Sequence, residues 1–180
     1  MTVTPPAPDR IMRLAAGYWS TGILGAAADC SLFTHLDAGA DTAARLAERA
    51  CVAERGVQTL LDGLVALGLV EVHDGSYRNT AEASTYLVEG RPACLSSFAT
   101  FKLAEMGRLG ALSEVVRAGG PVRDVTTEVA DNPHWAQVVQ AIAAQSVPVA
   151  ELAAAELGLA DAGPISVLDI GGGSGIYSAS

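Results

Sequence analysis

The segment "VLDIGGGSGIYSAS", Val167 to Ser180, holds the residues best suited to chemistry. An apolar run carries Asp169 near its end, and glycines follow at positions 171, 172, 173 and 175. Without a Cβ, the backbone can turn sharply after a strand and approach a ligand closely. A helix opening near Ser174 and Gly175 would turn free N–H groups toward a carboxylate or phosphate. The dinucleotide spacing G-x-G-x-x-G fits poorly, because Ile176 stands where the third glycine belongs. No Gly-Lys-Ser/Thr occurs, which excludes a nucleotide-triphosphate loop. The plain alternative is a tight strand-to-helix turn with no ligand.

The other chemically capable residues are sparse. His35, His73 and His134 lie far upstream of this loop, and none has an Asp or Glu pairing that recommends it as a general base. No catalytic residue is assigned, and no metal-ligand spacing is present. Cys30, Cys51 and Cys94 are odd in number and widely separated. That pattern argues for reduced thiols and a cytoplasmic setting, and against a disulfide or zinc framework.

A glycine loop must be held by something, and the rest of the chain is mostly helix-forming. Half of the 180 residues are apolar and the formal charge is −9, with Lys102 the single lysine. Such a surface repels nucleic acid and anionic membranes. The N-terminus has no apolar signal core, and the uncharged stretch from Leu14 to Ala28 is too short to span a bilayer. It reads instead as part of a helical stretch from Asp9 to about Leu36, with Gly17, Gly22 and Gly25 permitting close helix packing. Trp19, Ile23, Leu24 and Ala27 share one face at helical spacing.

Residues 42–80 are better organised. Asp41 or Thr42 is a suitable N-cap. Ala43, Leu46, Ala47 and Ala50 form one apolar stripe, and Val57, Leu60, Leu61, Leu64 and Gly68 form a second after the turn "CVAE". "LVEVHDGSYRNT" then alternates around Asp74-Gly75, a hairpin signal. Helix, turn, helix, hairpin is the order of a winged helix. Its charges do not suit DNA: Glu48, Glu54, Asp62, Glu71 and Asp74 face Arg45, Arg49, Arg55 and Arg78, and the second helix has Arg55 as its only base. A structural and dimerisation role fits better than a regulator.

Further helix is expected from about Ala93 to Ala118, stopped by Gly119-Gly120-Pro121. Another opens with Asn132 as N-cap and Pro133 at the first helical position. It runs to about Leu157 with a kink or interruption at Pro148. "ISVLDI", Ile165 to Ile170, then reads as a buried parallel strand.

Taken in order, these pieces resemble the N-terminal half of a bacterial small-molecule O-methyltransferase, of the class related to plant caffeate-type and polyketide-tailoring enzymes. "GYWSTGILGAAADCSLFTHL" resembles the family's first dimerisation helices. "TAARLAERACVAERGVQTLLDGLVALGLVEVHDGSYRNT" resembles its winged-helix module, and "LSEVVRAGGPV" the segment leading to its inter-domain helix. "VLDIGGGSG" resembles its first S-adenosylmethionine motif.

The resemblance implies a cofactor, S-adenosylmethionine, whose methionine end would lie on the loop of Gly171, Gly172, Gly173 and Gly175, with Asp169 in the surrounding polar network. It implies an intertwined homodimer whose N-terminal helices wall an acceptor pocket. Phe98, Met106 and Trp135 are the residues placed on that wall, with ordinary core packing as the alternative.

The expected fold is mainly α. Residues 1–160 form a helical, winged-helix-containing dimerisation and lid domain, and residues 161–180 open a Rossmann-like domain. The expected function is the dimerisation region of an enzyme methylating a hydroxyl of an aromatic or polyketide-like secondary metabolite. The alternatives are a winged-helix regulator or ligand sensor, and a non-catalytic dimerisation module. The family's ribose-binding acid and late histidine base find no counterpart, so the chain alone is expected to be inactive. A fragment, half of a split enzyme completed by a separate C-terminal catalytic half, and a natural module remain three accounts of that gap. Expected partners are a second copy and a small-molecule acceptor, with no nucleic acid and no membrane.

Overall fold

The computed structural model describes residues 7–121 and 133–179. The first helical stretch is three helices rather than one: α1 (Asp9–Ala16), α2 (Tyr18–Asp29) and α3 (Leu32–Asp37). The break before α3 falls at Ser31, whose φ of 51° is left-handed. Neither glycine nor proline marks that position, so the sequence pattern runs straight through it.

The next unit follows the sequence closely. Thr42 caps α4 (Ala43–Ala50), its Oγ1 accepting from the Arg45 N–H at 3.3 Å. Asp41 instead pairs with the Arg45 guanidinium at 2.7 Å. The chain turns through Cys51, also left-handed, into α5 (Glu54–Ala66). Ala43, Leu46 and Ala47 are buried against Val57, Leu61 and Leu64, as the two stripes require. Strands β1 (Val70–His73) and β2 (Ser76–Asn79) pair antiparallel, with His73 opposite Ser76. Asp74 and Gly75 both take positive φ, the requirement of a tight type I′ hairpin turn.

The hairpin is stitched to the helices by side chains and backbone. The Tyr77 N–H donates to the Asp41 carbonyl at 2.8 Å. Gln58 Nε2 donates to the Tyr77 hydroxyl at 2.9 Å, and Asn79 Nδ2 to the Phe33 carbonyl at 2.8 Å. The core beneath is led by Phe33, Leu32, Leu46, Leu61, Leu64, Val57 and Val70, all fully buried. Each such side chain contributes roughly 1.5–3 kcal/mol on leaving water.

A short helix not anticipated in the sequence, α6 (Ala81–Tyr86), follows the hairpin; Thr80 Oγ1 accepts from the Ala83 N–H at its start. The long helix expected from Ala93 begins later and breaks at Gly110, giving α7 (Ser96–Leu109) and α8 (Leu112–Ala118). Gly119, at φ 70°, ends α8 as expected. Helix α9 (Pro133–Glu156) opens on Pro133. The suggested cap Asn132 lies outside the described residues. Segments His134–Ala143 and Gln145–Glu156 meet at 59°, so the bend sits one turn before Pro148. A proline lacks the N–H that would bond the carbonyl four residues back, and its ring crowds that carbonyl.

Helices α2 and α7 cross closely, and Gly25 makes this possible. A Cβ there would lie 2.5 Å from Leu103 Cβ and 3.0 Å from the Ala99 carbonyl oxygen. Gly22 has only Met106 Cε near it, at 3.9 Å, and Gly17 meets nothing beyond its own turn. Of the three glycines singled out in the sequence, one therefore sets the helix spacing.

The strand expected at Ile165 to Ile170 is not formed. The only described sheet is the β1–β2 pair, and residues 165–170 run without a ladder. Leu168 and Ile170 are 85 % and 88 % exposed. A strand is stabilised by its neighbours' hydrogen bonds, and none lies alongside. Among the described residues the architecture is thus mainly helical with one two-stranded antiparallel sheet.

Candidate functional site

The glycine loop takes the backbone its composition allows. Gly171, Gly173 and Gly175 have φ of 78°, 54° and 70°, values an L side chain rarely adopts. The Gly175 N–H bonds the Gly172 carbonyl at 2.8 Å, and the last described turn, α10 (Ile176–Ala179), follows. Asp169 folds back over the loop. Its carboxylate accepts from the Ser178 hydroxyl at 2.5 Å and lies within 2.6 Å of where a Gly172 Cβ would be. Positions 171 and 175 are open on the Cβ side. The loop therefore presents backbone to solvent on one side and is closed by its own acid on the other.

A recess of about 550 Å³ lies elsewhere, against α7. The end of α2, the loop after α6, α7 and α9 contribute to it. Asp29 and Glu89 stand on one part of its wall, Thr100 and Phe101 on another, and Gln137 and Gln140 on a third. Glu89 Oε1 accepts from the Ser31 hydroxyl at 2.7 Å, and its N–H donates to Thr34 Oγ1 at 3.0 Å. These contacts fix the loop bearing the carboxylate to α3. Sequence reasoning overlooked this wall. Its trace was present on α7, where Ser96, Thr100 and Ala104 recur every four residues and clear one face of bulk.

The three residues suggested as an acceptor wall are not brought together. Phe98 lines a smaller recess of about 340 Å³ with Leu24, Leu69 and Lys102. Met106 reaches toward Gly22 of α2. Trp135 is half exposed at the start of α9, its ring 5.8 Å from that of His134. The Lys102 ammonium sits over both Phe98 and Phe101, at 5.3 and 5.4 Å from the ring centres.

The histidines stand apart. His73 Nε2 is approached by the Arg78 guanidinium at 3.1 Å, while Arg78 Nε donates to Glu71 at 2.8 Å. His134 Nδ1 lies 3.3 Å from the Arg108 guanidinium. No His/Cys/Asp/Glu group capable of holding a metal occurs among the described residues. Among them, too, no single helix is long and apolar enough to cross a membrane.

The thiols differ in a way that can be measured. Burial, aided by the neighbouring Asp29 carboxylate, pushes the Cys30 thiol above the usual cysteine range. Cys51 is exposed at the turn between α4 and α5. Because the thiolate is the nucleophile, iodoacetamide at pH 8 is expected to modify Cys51 well before Cys30. Mass spectrometry finding Cys30 labelled first would contradict this placement.

A helical bundle with a helix–turn–helix–hairpin unit, ending in a glycine loop, defines an architecture shared with known chains. Residues 12–89 match the O-methyltransferase dimerisation domain. Along 96 % of its length the chain is 35 % identical to 3-hydroxy-5-methyl-1-naphthoate 3-O-methyltransferase of Streptomyces sahachiroi, covering 52 % of that enzyme. Among solved structures, human N-acetylserotonin methyltransferase in complex with S-adenosylmethionine superposes with a TM-score of 0.60 at 27 % identity, over 83 % of this chain and 50 % of that one. A candidate O-methyltransferase from Nostoc punctiforme superposes with a TM-score of 0.76 at 24 % identity, over 97 % and 53 %. Over residues 12–89 the chain is therefore similar to that family's dimerisation domain. It spans about half the length of the Streptomyces relative.

Proposed function

We propose that this chain forms the dimerisation and acceptor-binding region of an S-adenosylmethionine-dependent O-methyltransferase, acting on a hydroxyl of an aromatic or polyketide-like metabolite in the cytoplasm. The observation that carries the reading is the family match over residues 12–89, beside an amphipathic first helix that buries none of its residues and leaves Ile11, Met12 and Leu14 exposed. A homodimer would cover that face. In this reading residues 1–160 are the dimerisation and lid domain, and residues 161–180 open the cofactor domain.

The unit of α4, α5, β1 and β2 is a winged helix used for structure. Arg45 and Arg78 are already engaged by Asp41 and Glu71, which leaves little positive charge for phosphate contacts. No duplex binding is expected in a gel shift at physiological salt. A shift that persists there and weakens in Arg55→Ala would favour a regulator instead.

S-adenosylmethionine would supply the electrophilic methyl group, and the residues present suit its methionine end. The left-handed glycines at 171, 173 and 175 let a ligand approach the backbone without a Cβ in the way, the Gly175 N–H being taken by the Gly172 carbonyl. Asp169 offers a carboxylate, now held by Ser178. The acceptor belongs in the larger recess against α7, where hydroxyl and amide groups can orient it. Positioning contributes much of the rate in such transfers.

Isothermal titration tests the reading. The 180-residue chain is expected to bind S-adenosylmethionine very weakly, because an unsupported loop must lose entropy on binding. Joined in frame to the catalytic region of the Streptomyces sahachiroi enzyme, it is expected to bind the cofactor and methylate a naphthol, and Gly173→Val is expected to abolish both. A folded chimera inert toward cofactor and acceptor would overturn the proposal. Micromolar binding by the 180-residue chain would overturn the account of the loop.

A further inference from the structure

Helix α3 is engaged on two sides. Leu32, Phe33 and Leu36 are buried in the core. Ser31, Thr34 and Asp37 stand three residues apart, and each holds the loop that follows α6. Ser31 Oγ donates to Glu89 Oε1 at 2.7 Å, and Thr34 Oγ1 accepts from the Glu89 N–H at 3.0 Å. One Arg91 guanidinium nitrogen reaches both Asp37 oxygens, at 2.9 and 3.0 Å. The loop also has a closed neck. There the Leu95 N–H donates to the Tyr86 carbonyl at 2.6 Å, and Ser96 Oγ to the Leu87 carbonyl at 2.7 Å. Beyond the neck, Glu89, Gly90 and Cys94 form part of the wall of the larger recess.

From this arrangement we infer that Ser31 and Thr34 are positioning residues for ligand binding: they hold residues 88–95 as a fixed wall of the recess, and so set its affinity for a hydroxylated aromatic compound. The inference rests on the reading of this recess as the acceptor site, and it adds residues that act on the acceptor only through the loop.

The backbone at Ser31 is the sign that its hydroxyl serves more than stability. Among the described residues three non-glycines are left-handed: Ser31, Cys51 and Asp74. Asp74 belongs to the hairpin turn and Cys51 ends α4. Ser31 is the one of the three whose side chain bonds another element, 58 residues away. A left-handed side chain is strained, and glycine would remove the strain. Serine instead supplies the donor that glycine lacks. The loop itself has no helix or strand to stiffen it. With the neck alone, its tip would have to be ordered each time a ligand arrived, and that ordering weakens binding. The Arg91–Asp37 pair is exposed, and such pairs contribute little. The bonds to Ser31 and Thr34 are therefore the ones to test.

Amide exchange of the 180-residue chain, and its chemical-shift titration with 2-naphthol, supply the test. In the wild type 2-naphthol is expected to shift the amides of Gly90, Cys94 and Thr100. Thr34→Val keeps the shape of the side chain and removes the acceptor. Exchange at the Glu89 amide is expected to quicken about tenfold, the worth of one hydrogen bond. Affinity for 2-naphthol is expected to fall about three- to tenfold. Thr34→Ser restores the acceptor and is expected to restore both. Ser31→Gly is expected to hold or raise the urea midpoint, because glycine accepts left-handed backbone, and yet to weaken 2-naphthol binding by a similar factor. A role confined to stability would move midpoint and affinity together. Unchanged Glu89 exchange in Thr34→Val overturns the clasp, and unchanged affinity in Thr34→Val and Ser31→Gly overturns its part in binding. Failure of 2-naphthol to shift the wall amides of the wild type overturns the inference at the recess itself. Where one variant does not fold, the other decides. No cofactor is present in the titration, so methyl transfer by the chimera succeeds or fails independently of it.

Discussion

Gly25→Val is expected to lower the stability of this chain by about 2–3 kcal/mol, read as a shift in the urea unfolding midpoint. The origin is steric. The point where a Cβ would stand is 2.5 Å from Leu103 Cβ and 3.0 Å from the Ala99 carbonyl oxygen, and one of those atoms belongs to backbone. The α2–α7 crossing can only widen, which opens the packing on both sides. Gly25→Ala is expected to destabilise less, since it adds one carbon and gains helix propensity. A matched change elsewhere should have the opposite sign. Gly56 lies on the exposed side of α5 with no atom within 4 Å of its Cβ position. Gly56→Ala is expected to stabilise by up to about 1 kcal/mol through propensity alone. If Gly25→Val and Gly56→Ala moved the midpoint in the same direction, the close crossing would be refuted.

The second large effect concerns self-association. Helix α1 buries none of its residues, and Leu14 and Trp19 are 72 % and 62 % exposed along with Ile11, Met12 and Tyr18. Large apolar side chains gathered at one end of a chain mark an interaction surface. Covering each contributes roughly 1.5–3 kcal/mol. Light scattering at micromolar concentration is expected to show a dimer. Leu14→Asp/Trp19→Asp is expected to weaken it by at least a hundredfold, about 2.8 kcal/mol, giving a monomer. Because this surface lies outside the core led by Phe33 and Leu61, circular dichroism of the variant should keep its helical signal. A monomeric wild type, or a variant still dimeric at that concentration, would refute the assignment of this face.

The parts legible in the sequence were those governed by local rules. Thr42 announced a helix start because a side-chain oxygen can take an orphan N–H. Asp74-Gly75 announced the hairpin because a tight turn needs two positive φ values. The stripes of α4 and α5 followed from helical spacing. The parts that escaped depend on neighbours. Nothing local distinguishes Gly25 from Gly22 or Gly17, since the difference is Leu103 across the crossing. Ser31 adopts a left-handed conformation with no glycine to signal it. The bend of α9 lies a turn before Pro148, where the bonding partner is lost rather than where the ring sits. The run from Ile165 to Ile170 has the composition of a strand, yet a strand requires a ladder. At the candidate site, the glycine loop could be read directly. The recess against α7 could not, because Asp29, Glu89, Thr100 and Gln137 meet only after α2, α7 and α9 have packed.

The hairpin's attachments have a consequence for how the molecule opens. A two-stranded ribbon of this length would fray freely in water if left to itself. Here the Tyr77 amide belongs to Asp41, its hydroxyl is held by Gln58, and Asn79 reaches Phe33. Opening the ribbon therefore breaks contacts to α3, to the residue pair leading into α4 and to α5, and those helices cannot separate while the ribbon stays shut. Ribbon and helices form a single cooperative unit, and the Tyr77 amide should exchange its hydrogen only as often as that whole unit unfolds.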